Sequence, residues 1–170
     1  MIRELLQDHE WFRRELFAWL SLDSLLSLST ASKSVNFVRQ VRNQTLQETA
    51  RVWHNDPHTY HAHFWQRLTF RPDTKLARIY CKWKDQGWGN KKGMFSVVKG
   101  DGKAPNDGCE WGSDVVVGSE PAPHQWEKLY MDFPVHPAEK YSIWARAGGG
   151  GGHHIHIKDL SVHEMISNKI

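Results

Sequence analysis

The stretch Leu76-Ala77-Arg78-Ile79-Tyr80-Cys81-Lys82-Trp83-Lys84 decides how this chain is read. Ala77, Ile79, Cys81 and Trp83 alternate with Arg78, Tyr80, Lys82 and Lys84. Successive side chains of a strand point to opposite faces, so this is a half-buried β-strand with an apolar and a polar side. The same alternation recurs at Leu129, Met131 and Phe133, and at Tyr141, Ile143, Ala145 and Ala147. Phe95 to Val98, Asp114 to Val117, and Ile155-His156-Ile157 extend the set. Between them lie turn formers: Gln86-Gly87-Trp88-Gly89-Asn90, Gly100-Asp101-Gly102, Pro121-Ala122-Pro123, and the run Gly148 to Gly152. Six short strands separated by Gly/Pro turns predict an antiparallel β-sandwich or jelly roll.

Ahead of this region the period changes. Ile2, Leu5, Leu6, His9, Phe12, Leu16 and Phe17 recur every three or four residues, the mark of one helical face. Asp23 and Ser24 suit the N-cap of a second helix, and Ser32 that of a third carrying Val35, Val38, Val41, Arg42 and Leu46. No glycine or proline precedes Pro57, and all 13 glycines follow residue 86. The expected fold class is therefore α+β: a helical module over 1–52, a His- and aromatic-rich connector over 53–70, and a β-sandwich recognition domain over 71–170.

Composition narrows the function. Of 170 residues, 39% are hydrophobic and 24% charged, as in a globular protein rather than a disordered one. The net charge of +3, all of it from residues 65–170 (15 basic against 12 acidic), is too small for a nucleic-acid-binding face. Neither an apolar run of membrane-spanning length nor a signal peptide is visible. Cys81 and Cys109 do not make a disulfide scaffold, and reduced thiols point to a cytoplasmic or nuclear protein.

Chemistry is sparse. His153-His154-x-His156 suggests a metal strand, but Asp159 falls out of phase for a fourth ligand. His54, His58, His61 and His63 are interrupted by Pro57, which spoils a helical ligand face. Cys81 sits on an apolar strand face and Cys109 lacks an activating base. No phosphate loop and no G-x-S-x-G occurs. No catalytic residue, metal or cofactor is assigned.

Binding residues are easier to name. Trp144 shares a strand face with Ser142 and Arg146, and His154 shares one with His156 and Lys158. If the Gly148–Gly152 run closes a hairpin, Trp144, Arg146, His154 and His156 meet on one surface suited to stacking on a sugar or to a protein contact. The competing reading packs this face against the helices and buries Trp144. Trp88 and Asn90, in the loop from Asp85 to Gly93, form the second candidate, with Trp88 projecting between glycines.

Two resemblances add to this reading. Trp19-Leu20, Leu25-Leu26 and Ala31-Ser32-Lys33 resemble successive steps of an F-box. That family implies docking to a Skp-type adaptor of a cullin-RING ubiquitin ligase, through Leu20, Leu22, Leu25, Leu26 and Leu28. Trp126-Glu127, Tyr141 to Trp144, and Gly151 to Val162 resemble galactose-binding-like sandwiches, including the sugar- or glycoprotein-recognising domains appended to some F-box proteins. Together they imply a substrate adaptor whose sandwich binds a glycan or protein epitope. The alternative is a stand-alone carbohydrate- or protein-binding sandwich with structural helices. The third reading is a histidine-metal enzyme.

Overall fold

The computed structural model describes residues 40–54, 62–100 and 114–166, together with Ser24. Nine strands follow one another among the described residues: β1 (Gln40–Asn43), β2 (Arg51–His54), β3 (His63–Leu68), β4 (Thr74–Asp85), β5 (Met94–Lys99), β6 (Val115–Gly118), β7 (Glu127–Pro134), β8 (Tyr141–Arg146) and β9 (His154–Ile166). They form two antiparallel sheets. The five-stranded sheet runs β1-β9-β4-β7, with β2 also pairing β9. The four-stranded sheet runs β3-β8-β5-β6.

The helices-first reading is corrected where the structure describes its end. Residues 40–43 and 51–54 are strands, not the last turns of a helix and a connector. Both pair with β9: Asn43 lies opposite His163, and Trp53 opposite Ile155. Strands of four residues are too short to display an alternation. The spacing of Val41, Arg42 and Leu46 fits a helix as well as it fits a strand and loop, and pairing to a distant strand decides the outcome. The α+β assignment therefore fails on this segment, and among the described residues every element from residue 40 onward is β. The rest of the proposed helical module lies outside the described residues.

The core lies between the sheets. Ala77, Ile79, Cys81 and Trp83 of β4 turn inward with Ile155, Ile157, Leu160 and Val162 of β9. Phe95 and Val97 of β5 and Tyr141, Ile143 and Ala145 of β8 meet them from the other sheet. Trp53 packs edge-on against Trp65 with ring centroids 4.8 Å apart. Trp65 in turn stands edge-on to Phe95. Such pairs contribute about 0.5–1.5 kcal/mol each beyond the area they bury. The long strand β9 bends at Asp159, a non-glycine at φ 55°, where its register with β4 slips between Tyr80 and Lys82.

The sheet assignment also settles the proposed hairpin. β8 and β9 belong to different sheets. The Gly148–Gly152 run crosses from one layer to the other instead of turning back within one.

Candidate functional site around the start of β9

The β4–β5 loop, the glycine crossover and residues 121–126 come together at one end of the sandwich. The Asp85 amide donates to the Pro123 carbonyl at 2.8 Å, and the Ala122 amide to Gly93 at 2.7 Å. Asp85 is fully buried, and its Oδ1 accepts from the Gly87 amide at 2.7 Å and faces His124 Nδ1 at 2.8 Å. Lys92 Nζ donates to the Gly149 carbonyl at 3.1 Å. A Cβ on Gly148, whose φ is +93°, would stand 2.4 Å from Lys92 Cβ, so only glycine fits this crossing. These bonds fix where two tryptophans stand.

Trp88 is 57% exposed and stacks on His153 with centroids 6.4 Å apart and planes at 22°. Trp126 is 42% exposed and meets His156 edge-on at 6.2 Å. His153 directly precedes β9, whereas His156 lies on the outer face of the strand with His154 and Lys158. One exposed indole thus stands beside the residue that leads into β9, and the other over a histidine of its outer face. Lys158 Nζ sits 4.1 Å from the centre of the Trp126 ring and Lys84 Nζ 5.4 Å from it. Each such contact holds the indole by cation–π attraction, about 0.5–1 kcal/mol at an exposed site.

The imidazoles extend this surface. His154 and His156 are 4.7 Å apart, and His54 from β2 reaches His154 at 5.7 Å. The His154 Nδ1–H donates to the Gly152 carbonyl at 3.1 Å. Burial, then the nearby charges of His154, Lys84 and His54, hold the His156 imidazole below its usual range, with Asp85 opposing. Burial and Lys92 lower His153 in the same way. At this end three buried polar atoms, Asp85 Oδ2, Gln86 Oε1 and His153 Nδ1, have no hydrogen-bond partner among the described residues.

The residues named from sequence divide between the two layers. Trp88, Asn90, His154 and His156 lie at this end of the sandwich or on the adjoining outer face of the five-stranded sheet. The Asn90 carbonyl, with that of Trp88, accepts from Gln86 Nε2, which shapes the loop that carries Trp88. Trp144 and Arg146 do not join them. They lie on the four-stranded sheet and are 5% and 1% exposed. The Trp144 indole N–H donates to Ser142 Oγ at 2.9 Å, and the Arg146 guanidinium reaches Met94 Sδ at 2.9 Å. The adaptor-docking leucines Leu20, Leu22, Leu25, Leu26 and Leu28 lie outside the described residues. Trp126, Lys84 and Lys158 were not among the expected site residues. The signal for them was present in the polar phase of the β4 alternation and in the aromatic just ahead of β7.

Among the described residues no group of three or more His, Cys, Asp or Glu side chains is placed to hold a metal ion. His153 stacks on Trp88, while His154 and His156 meet each other, so the motif does not form a ligand set. Cys81 is buried, and burial pushes its thiol up to about 12, which keeps it protonated and unreactive.

No family model matches the chain, and no curated protein matches it. Two solved structures are similar in shape. One is a CBM4 structure, 15% identical over 73% of this chain and 77% of that one, with a TM-score of 0.45. The other is the EclA C-terminal domain, a sugar-binding protein, 17% identical over 70% of this chain and 81% of that one, with a TM-score of 0.42.

Proposed function

We propose that this sandwich is a non-catalytic carbohydrate-binding domain whose ligand lies against Trp126 and the imidazoles of β9. One observation carries the reading. Trp126 is held half-exposed on a sheet face by two lysines and a histidine, rather than folded into the core. A large aromatic kept in water at a fixed angle gives a flat apolar surface for the C–H face of a sugar ring. The surrounding ring nitrogens and ammonium groups supply hydrogen bonds to its hydroxyls. Trp88 provides a second exposed ring, beside His153 at the start of the strand, for a longer chain. A Skp-type partner finds no support among the described residues and is not part of this proposal.

A glycan array with the whole chain tests the reading. The wild type is expected to retain a defined glycan class that Trp126→Ala loses while staying folded. Equal retention by the variant overturns the assignment of this face.

A further inference from the structure

A cleft of about 610 Å³ is lined by Arg42 and the β1–β2 loop, by residues 64–71 and by Glu164, and shares no residue with the Trp126 surface. We propose that this cleft is a second binding site, for an oligosaccharide bearing carboxylate groups.

The charges around it point to an anion. Arg42, Arg67, Arg71 and Glu164 line the cleft. Glu164 is buried, and its Oε2 already accepts from Thr74 Oγ1 at 2.6 Å and from the Arg71 amide at 3.2 Å. The Arg71 guanidinium meets Asp73 at 3.4 Å. Arg42 and Arg67 are both exposed, and neither has a hydrogen-bond or ion-pair partner among the described residues. They stand on different sheets: Arg42 opposite Glu164 across β1–β9, and Arg67 opposite Ser142 across β3–β8. A ligand in the cleft therefore meets a guanidinium from each wall. Guanidinium stays charged at every working pH, and its planar fork matches a carboxylate.

The walls are fixed before any ligand arrives. Gln44 Nε2 donates to the Thr69 carbonyl at 3.0 Å. The Gln47 amide donates to Gln66 Oε1 at 3.3 Å, and Gln66 Nε2 to the Glu48 carbonyl at 3.1 Å. These bonds tie the β1–β2 loop to β3, so little ordering is left to oppose binding. The volume falls within the roughly 300–1,000 Å³ usual for small-ligand sites. A sugar suits the remaining surface better than a peptide does. Phe64, 42% exposed, offers a ring face on the same wall as Arg67, the threonine rim offers hydroxyls, and the described lining is mostly polar.

The test is calorimetric titration of the whole chain with oligogalacturonate at low salt. The wild type is expected to bind, and Arg42→Ala/Arg67→Ala to weaken binding by about tenfold or more, the loss of about one charged hydrogen bond. The paired lysine variant is expected to fall between, keeping charge without the fork. Trp126→Ala is expected to leave this affinity unchanged, which separates failure here from failure of the first site. Methyl-esterified oligogalacturonate is expected not to bind. Equal binding by the alanine variant, equal binding of the esterified sugar, tighter binding of polyglutamate, or full competition by equimolar inorganic sulfate would each overturn the proposal.

Discussion

The outer faces of the two sheets come from similar sequence and have opposite fates. On β8, Ser142, Trp144 and Arg146 occupy the phase that faces away from the core, and all three are buried. On β4, Arg78, Tyr80, Lys82 and Lys84 occupy the same phase and stay partly exposed. Trp144 is locked by Ser142 Oγ and meets the Phe64 ring at 5.6 Å, while Trp126 is held open by lysines. The difference teaches that only an indole held open to water, not merely an outward-pointing one, is available for the recognition proposed above.

The sharpest way to break this comparison is to truncate both tryptophans. Trp144→Ala is expected to cost about 3–5 kcal/mol in urea unfolding, as for a large buried aromatic. Trp126→Ala is expected to cost about 1–2 kcal/mol, the loss of its two cation–π contacts, while abolishing glycan retention. Two large stability losses would make the faces equivalent and remove the argument for the Trp126 site.

Next in size is the glycine crossover that packs against the loop carrying Trp88. Gly148→Ala adds a clash with Lys92 to the backbone penalty of a positive φ, about 1–2 kcal/mol for the latter alone. Gly150→Ala bears the backbone penalty only, since nothing lies within 4 Å of its would-be Cβ. Thermal melts of the pair should show Gly148→Ala as the worse, and the gap measures how firmly the loop is clamped.

Acid should act on the histidine-bearing strand more gently. His153, His156 and His163 are all held below the ordinary imidazole value of 6.5, chiefly by burial. A lowered base takes up its proton more readily in the unfolded chain. Its contribution to stability is therefore complete above about pH 6.5 and declines as pH falls toward the folded values. The urea midpoint is expected to be lower at pH 5.5 than at 7.5, and His156→Gln should shrink the difference. At the bottom of the scale stands the Lys82–Asp159 pair, at 2.9 Å but open to solvent. Lys82→Ala is expected to leave the unfolding midpoint where it is.

The sandwich was readable in the chain where strands were long. The eight-residue alternation of β4 from Ala77 to Lys84 has one interpretation. β1 and β2 were not readable, because four residues beside Leu46 satisfy a three-and-four spacing by chance. What fixes them is β9, more than a hundred positions away. Trp88 and the two β9 histidines were identifiable as candidates because glycines and alternation put them forward. Their grouping was not, since a glycine run is as compatible with a crossing between layers as with a tight turn. Arg146 reads as a surface residue in any local scheme, and its burial depends on what else covers that sheet.

The arrangement of β1 and β2 has a further consequence. Thirteen-residue β9 is flanked on one side by two four-residue pieces with an irregular segment between them. Each piece carries charged or polar groups in the open, at Arg42, Asn43, Arg51 and His54. A second copy seeking to add its own backbone along that border meets an interrupted, hydrophilic ladder rather than a long apolar template. Protection against fibre-like self-association is thus built into the way this border is divided.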